Sequence, residues 1–194
     1  TLALVNGVII VTPSQRSRIE KVQKNVEMVT NFPSREELVS QETRQYLERS
    51  QVCFAGGIDR QWCHEKVLGA VAGIDNLFYC IAGDKDQDPS YWKYLVNCNR
   101  WKGKLKYMGI LQHKEIPKLY NESICGMALL NYSSPCGKEG TLGNTKLFEY
   151  MKYGIPVICS DMRLWRLIID KYKCGICVDP NDEDEIRDAI LYLL

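Results

Sequence analysis

Short apolar runs alternate with longer segments that mix apolar and polar residues along most of the chain. The runs are continuously apolar, which is typical of parallel strands covered on both faces. This alternation predicts an α/β fold, a parallel sheet with helices on both faces. The predicted strands are residues 7–11, 26–30, 51–55, 77–82, 105–108, 125–130, 156–159 and 175–178, and the predicted helices are residues 60–72, 89–98, 114–121, 145–153, 164–172 and 182–193.

The first 50 residues include a polar segment that interrupts the alternation of apolar runs and helical segments. Residues 34–50 are polar and helical in pattern, and Ser34 with Glu37 has the spacing of a capping box. We interpret residues 31–50 as an excursion near a domain boundary. Because the chain opens at Thr1 and stops at Leu194 inside a predicted helix, we expect it to be a piece of a longer protein.

Composition narrows the classes of partner and compartment. The 194 residues include 25 lysines and arginines and 24 aspartates and glutamates, a formal charge of +1, which argues against a nucleic-acid partner. No apolar run approaches the roughly 18 residues of a membrane helix. Many of the 9 cysteines stand in apolar surroundings, which suits reduced thiols and a cytoplasmic location. Cys174 and Cys177 lack a second pair of ligands, so we expect no metal site.

Residues 143–151 form the strongest candidate for a binding site. A glycine-containing loop runs there into a predicted helix, whose first amides and positive dipole end suit a phosphate. Asn144 or Thr145 can cap this helix, and Lys146 adds a positive charge. Glu149 lies one turn deeper, and a carboxylate suits a pair of sugar hydroxyls. The residues alone leave two interpretations open, a nucleotide site and a surface ion pair between Lys146 and Glu149.

Residues 143–161, GNTKLFEYMKYGIPVICSD, resemble the donor-binding segment of the two-domain, GT-B type glycosyltransferases of group 1. Further segments resemble the same domain in the same order. They are FAGG at 54–57, YMGI at 107–110, EIPKLY at 115–120 and CGICVDP at 174–180. The likeness covers about residues 50–194, and the concerted order of its motifs is more specific than any single match.

The resemblance implies the architecture of the chain. Residues 51–194 would form the donor nucleotide-sugar-binding domain, a Rossmann-like parallel sheet that is one half of a GT-B architecture. Residues 1–50 resemble the family's interdomain crossing and would also start the domain. The amino-terminal acceptor domain would be absent from this chain and would carry any catalytic general base. No metal and no cofactor is implied besides the nucleoside diphosphate sugar itself.

The resemblance also implies roles for individual residues. Glu149 would bind the ribose hydroxyls of the donor, and Leu147 would pack against the ribose. The region of Thr145 and Lys146 would hold the diphosphate, with Gly57 close to it. The predicted donor-binding residues are Gly57, Arg60, Ile110, Leu111, Thr141, Gly143, Asn144, Thr145, Lys146, Leu147 and Glu149, of which Ile110 and Leu111 would border the base.

Two features depart from the family pattern. Thr141 stands eight residues before the predicted ribose-binding glutamate, where many retaining members carry another glutamate that approaches the donor sugar. Gly57 and Cys63 stand where many members carry an arginine and a lysine that clamp the diphosphate. Arg60 or Lys66 would be the substitute for these missing cations.

The implied activity is the transfer of a sugar from a nucleoside diphosphate to an acceptor hydroxyl, in polysaccharide or glycoconjugate synthesis. The acceptor, a glycan or lipid-linked glycan, would bind the missing domain. The resemblance is compatible with peripheral membrane association of the full-length protein, although this chain shows no amphipathic anchor. We expect the chain alone to bind nucleotide weakly without turnover. Two alternatives stay open, a sugar-nucleotide epimerase and a non-catalytic nucleotide-binding module, the latter favoured by Thr141.

Overall fold

A parallel sheet of six strands is the main feature of the computed structural model, which describes residues 2–33 and 49–194. The strands in chain order are β1 (Val8–Ile10), β2 (Val26–Met28), β3 (Gln51–Ala55), β4 (Phe78–Ala82), β5 (Leu105–Tyr107), β6 (Gly126–Ala128), β7 (Val157–Ser160) and β8 (Gly175–Val178). The helices are α1 (Arg16–Ile19), α2 (His64–Ala72), α3 (Pro89–Asn97), α4 (Ile116–Asn121), α5 (Thr145–Lys152), α6 (Arg163–Tyr172) and α7 (Glu183–Leu193). None of the helices in the described ranges has the length and apolar character needed to cross a membrane.

The strand order in the main sheet is β5-β4-β3-β6-β7-β8. Neighbouring strands are parallel throughout, with β3 paired to β4 along its whole length and to β6 at Cys53 opposite Gly126. From β3 the chain builds first towards one edge and then, from β6 onward, towards the other. The loops after β3 and β6 therefore diverge at the carboxyl ends of the strands, where ligands bind in folds of this type.

Each face of the sheet carries its own hydrophobic core. Successive strand residues point to opposite faces, so on β3 the side chains of Val52 and Phe54 lie in one core and Cys53 lies in the other. Helices α2, α3 and α7 complete the first core, and α4, α5 and α6 complete the second. The prediction of a Rossmann-like parallel sheet with helices on both faces is confirmed.

Residues 2–33 form a small unit beside the main sheet, in which β1 pairs in parallel with β2. Two contacts tie this unit to the loop before α5 and to α5 itself. The Leu142 backbone N–H donates to Thr12 Oγ1 at 3.3 Å, and the Phe32 ring meets the Phe148 ring edge-on, with centroids 4.6 Å apart. The predicted division of the chain at residue 50 stays a prediction.

The predicted helix over residues 60–72 is interrupted in the structure. Residues 60–62 form a short 3₁₀ turn that Asp59 caps, its carboxylate accepting from the Gln61 N–H at 2.8 Å. Cys63 then adopts a left-handed conformation with φ of 49°, and α2 begins at His64. A left-handed residue cannot continue a right-handed helix, so the 3₁₀ turn and α2 are separate segments.

The remaining predicted elements differ mainly at their ends. The strand predicted over residues 125–130 is shortened to Gly126–Ala128, and the helix predicted over residues 114–121 begins at Ile116. The predicted helical segment over residues 34–50, with its capping box of Ser34 and Glu37, lies outside the described residues except for its last two, which are neither helix nor strand.

Candidate functional site

A cavity of about 510 Å³ opens at the carboxyl ends of β3, β4 and β5, in front of the amino end of α5. Its floor is made by the glycine turns that follow β3 and β4. Residues 31–33 close one side, and α4 with the exposed face of α5 closes another. Its lining residues include Gly56, Gly83, Ile110, Leu111, Tyr120, Thr145 and Glu149.

The turns at Gly56 and Gly83, which form the floor of the cavity, are in close contact. Both residues have positive φ, 152° for Gly56 and 142° for Gly83. A Cβ on Gly83 would overlap the carbonyl oxygen of Gly56, so no larger residue fits there. With no side chains at either position, the backbone itself faces the cavity.

The amino end of α5 is capped by Asn144, whose Oδ1 accepts from the Lys146 N–H at 3.0 Å. Thr145, the first residue of α5, is exposed and lines the cavity. The positive end of the helix dipole therefore faces the open space above the glycine turns. Such a helix end stabilises a negative group.

The Lys146 side chain crosses from α5 to the glycine turn after β3. Its Nζ lies 4.8 Å from the centre of the Phe54 ring and 4.5 Å from the Trp62 ring, and a Cβ on Gly56 would overlap it. Burial lowers the pKa of the Lys146 ammonium, and the charges of Glu149 and Asp59 act in the opposite direction. Within the described ranges no carboxylate lies within 4.0 Å of Nζ, so the predicted alternative of a Lys146–Glu149 ion pair is not formed.

Glu149 lies half-buried in the cavity wall, one turn along α5 from Thr145. The Tyr120 hydroxyl donates to Glu149 Oε2 at 3.1 Å. The other carboxylate oxygen, Oε1, accepts no hydrogen bond from the described residues. The cavity thus contains a carboxylate that can accept further hydrogen bonds, beside the amino end of a helix. The carboxylate can bind hydroxyl groups, and the helix end can bind a neighbouring phosphate.

The sequence model of the family described as "Glycosyl transferases group 1" matches residues 34–194. The chain belongs to this family. No curated protein matches it. The family match agrees with the resemblance carried by the motifs of residues 50–194.

Solved structures support the same fold at low sequence identity. Sucrose-phosphate synthase from Thermosynechococcus elongatus matches with a TM-score of 0.73 and 16% identity over 99% of this chain and 50% of that one. Anabaena HepE, solved with UDP-glucose, matches with a TM-score of 0.73 and 13% identity over 97% and 54%. A glycosyltransferase from Rickettsia africae matches with a TM-score of 0.70 and 14% identity over 96% and 52%. The chain thus spans about half the length of these structures and has the fold of one half of a GT-B glycosyltransferase.

In this group 1 glycosyl transferase, part of the predicted donor site lines the cavity. Ile110 and Leu111 line it from the loop after β5, and Thr145 and Glu149 line it from α5. Asn144 caps α5 and directly precedes Thr145 in the chain. These residues come from chain segments more than 30 residues apart, and the parallel sheet brings them to one edge.

Other predicted residues lie elsewhere. Of the two glycines after β3, Gly56 lines the cavity and the predicted Gly57 does not. A Cβ on Gly57 would meet the side chain of Gln87. Arg60 is exposed, and its Nε pairs with Asp88 Oδ2 at 3.2 Å, so the structure does not bring it to the cavity. Leu147 is 1% exposed and belongs to the core beneath α5 rather than to the wall.

Thr141 lines a second cavity of about 530 Å³, between the loop after β6 and residues 12–18. Thr141 Oγ1 accepts from the Gly143 N–H at 3.0 Å, and its carbonyl accepts from Trp165 Nε1 at 2.7 Å. Gly143 in turn packs against Val11, because a Cβ there would lie 2.8 Å from Val11 Cγ2. Both predicted residues thus face the small amino-terminal unit.

The cavity also contains residues outside the predicted site, and Gly83 and Tyr120 are two of them. Gly83 follows a strand just as Gly56 does, and that repeated strand–glycine pattern was the available signal. Tyr120 had no local signal, because its partner Glu149 lies 29 residues away on another helix. Among the described residues, no group of three or more His, Cys, Asp or Glu side chains is placed to hold a metal ion.

Proposed function

We propose that this chain is the donor-binding domain of a glycosyltransferase that moves a sugar from a nucleoside diphosphate to an acceptor hydroxyl. The observation that carries the proposal is the pairing of the Glu149 carboxylate with the amino end of α5 in one cavity. The cavity also lies at the carboxyl edge of a parallel sheet, where nucleotides bind in such folds. Two structures of Anabaena HepE, one with UDP and glucose and one with UDP-glucose, support the class of donor.

In the proposed complex, Glu149 accepts hydrogen bonds from the ribose hydroxyls. The diphosphate lies over the glycine turn at Gly56, in front of the first amides of α5. The base extends towards Ile110 and Leu111. Negative charge grows on the diphosphate as the bond to the sugar breaks, and the helix amides with the Lys146 charge beside Gly56 stabilise it.

We propose that the whole protein works in polysaccharide or glycoconjugate synthesis, with the acceptor and any general base on a second domain. A glycan or lipid-linked glycan is the proposed acceptor, and a lipid-linked one would bring the protein to a membrane surface. The nine free thiols suit the reducing cytoplasm. The donor is the only small molecule that the proposal requires.

A second candidate is a non-catalytic nucleotide-binding module, which the placement of Thr141 favours. Thr141 stands where many retaining members carry a glutamate that approaches the donor sugar. Its hydroxyl accepts from the Gly143 N–H, and it supplies no carboxylate to the second cavity. A full-length protein that hydrolyses or transfers the donor sugar would exclude this candidate. A full-length protein that binds donor but never consumes it would favour it.

Titration calorimetry with UDP, GDP and ADP tests the main proposal on this chain, which we expect to bind nucleotide weakly without turnover.

Glu149→Ala should weaken the binding of the preferred nucleotide about 10- to 100-fold, because hydrogen bonds to a charged group are lost. The matched control is Glu122→Ala, which removes an exposed carboxylate on the far end of α4. Unchanged affinity of Glu149→Ala would contradict the ribose assignment, and no binding of any of the three nucleotides would remove the proposal.

A further inference from the structure

The Tyr120 hydroxyl is the group that holds the Glu149 carboxylate in the cavity wall. Tyr120 lies near the carboxyl end of α4, the helix that connects β5 to β6. Tyr120 is 0% exposed to solvent, yet it lines the cavity, and its hydroxyl donates to Glu149 Oε2 at 3.1 Å. The two side chains come from different helices, so the contact joins α4 to α5.

Two aromatic contacts hold the Tyr120 ring in place. It meets the Tyr150 ring edge-on at 5.1 Å between centroids and the Tyr153 ring at 5.3 Å. Tyr150 lies on α5 and Tyr153 directly after it, so both partners follow Glu149 along the chain. Because the ring is packed between them, the direction of its hydroxyl is fixed by the core.

The hydroxyl keeps its proton and acts as a donor. Burial raises the pKa of the Tyr120 hydroxyl well above its ordinary value, and the negative charge of Glu149 raises it further. A carboxylate only accepts hydrogen bonds, so the tyrosine must donate. One of about four acceptor sites on the carboxylate is then used by Tyr120, which leaves acceptor capacity for a ligand.

A glutamate on a helix surface ordinarily samples several rotamers, and binding a diol through both oxygens requires one of them. Fixing a long side chain upon binding costs entropy that weakens affinity. A hydrogen bond formed before the ligand arrives removes part of this cost, because the carboxylate is already oriented.

We propose that Tyr120 is a positioning residue that orients Glu149 for the two neighbouring hydroxyls of a ribose. Tyr120 acts through Glu149 and makes no contact with the ligand itself. The inference rests on the proposed function, since it assumes that Glu149 binds the ribose. Through this orientation, Tyr120 would make the cavity prefer a ribose with both hydroxyls over a sugar that lacks them.

The test compares each of UDP, GDP and ADP with its 2′,3′-dideoxy counterpart, by calorimetry on the full chain. Tyr120→Phe should weaken binding of the preferred ribonucleotide roughly tenfold and leave binding of its dideoxy form unchanged, so that the preference for ribose falls by the same factor. Tyr150→Phe is the matched control, because the Tyr150 hydroxyl donates to the Met127 carbonyl at 3.2 Å and does not contact Glu149. It should leave both affinities unchanged.

Equal losses for the ribose and dideoxy forms would show that Tyr120 supports the cavity only as packing, and would overturn the inference. An unchanged ribose affinity in Tyr120→Phe would also overturn it. Failure of the proposed function looks different, because the unmodified chain would then bind none of the nucleotides. An unmodified chain that binds nucleotide without any preference for ribose would overturn the Glu149 and Tyr120 roles and leave the diphosphate site.

Two further measurements test the inference, and the second does not depend on the folding of Tyr120→Phe. In the Glu149→Ala background, a change at Tyr120 has no carboxylate to orient, so the double variant should bind as weakly as Glu149→Ala alone. A crystal structure of the unmodified chain with the bound diphosphate should show the Tyr120 hydroxyl and the ribose hydroxyls on the same carboxylate. A Glu149 side chain turned away from Tyr120 in that complex would overturn the inference.

Discussion

His64 is a buried imidazole whose surroundings keep it neutral. Its Nδ1 lies 2.9 Å from the Tyr79 hydroxyl, and the Phe54 ring stands edge-on to it with centroids 4.6 Å apart. Its Nε2 has no partner among the described residues. Burial lowers the pKa of His64 to about 3, and the positive charge of Lys146 lowers it further. The residue therefore contributes to packing at the start of α2, and no catalytic role is needed to explain it.

The depressed pKa of His64 predicts a loss of stability in mild acid. Below about pH 6.5 the unfolded chain binds a proton at this residue, whereas the folded chain does not until about pH 3. The free energy of unfolding should therefore fall by about 1.4 kcal/mol for each pH unit below 6.5 because of His64 alone. Urea unfolding at pH 7 to 5 should show this extra slope in the unmodified chain and lack it in His64→Gln.

The exposed His113 provides the control for this measurement. His113→Gln should keep the slope of the unmodified chain, because the change leaves the buried His64 in place. Parallel pH profiles for the unmodified chain and His64→Gln would show that His64 is protonated in the folded state as easily as in the unfolded one.

At the scale of elements, the ends of β3 and β4 are joined through their glycines. The Gly56 N–H donates to the Ala82 carbonyl at 2.9 Å, and the Gly83 N–H donates to the Gly109 carbonyl at 2.8 Å. These bonds continue the sheet beyond the strands and bring the turns into contact. The floor of the candidate site is therefore part of the sheet, and a change there affects folding and binding together.

Gly83→Ala should be strongly destabilising because its methyl group would overlap the Gly56 carbonyl. We expect a cost of about 3 kcal/mol or more, which lowers the melting temperature by about 10 °C. Gly103→Ala is the matched control, since Gly103 also has positive φ, 81°, but has nothing within 4 Å of the added Cβ. It should cost only about 1 kcal/mol from the backbone conformation. Similar melting temperatures for the two variants would contradict the close contact of the turns.

At the scale of the whole molecule, the two cores protect most of the thiols. All nine cysteines are free, and Cys53, Cys63, Cys80, Cys125 and Cys159 are buried. Burial raises the pKa of Cys53 and Cys63 to about 12 and that of Cys80 to about 11. The Cys177 thiol lies 3.7 Å from the Cys159 thiol on the neighbouring strand.

Alkylation with iodoacetamide should therefore distinguish the folded from the unfolded chain. At neutral pH the folded chain should react only at Cys98, Cys136, Cys174 and Cys177, because thiolates are the reactive species and the other thiols are buried and protonated. In guanidinium chloride all nine should react. Mass spectrometry of tryptic peptides gives the modified positions, and labelling of Cys53 or Cys125 before unfolding would show that the cores open under native conditions.

The sequence alone determined the class of fold and the start of the binding helix. Continuous apolar runs between helical segments are local patterns, and they were sufficient to predict a parallel sheet covered on both faces. The cap at Asn144 and the placement of Glu149 one turn after Thr145 follow from helix geometry within a few residues. The family motifs then related this helix to nucleotide sugars.

Only the tertiary structure decided which side chains meet. Arg60 lies close in sequence to the glycine turn, yet it pairs with Asp88, while Lys146 crosses to that turn from α5. Tyr120 reaches Glu149 across 29 residues of chain. Such contacts depend on how the sheet orders its strands and how the helices pack on its faces. Residue type and spacing describe only neighbours along the chain, so these long-range pairs could not be predicted from them.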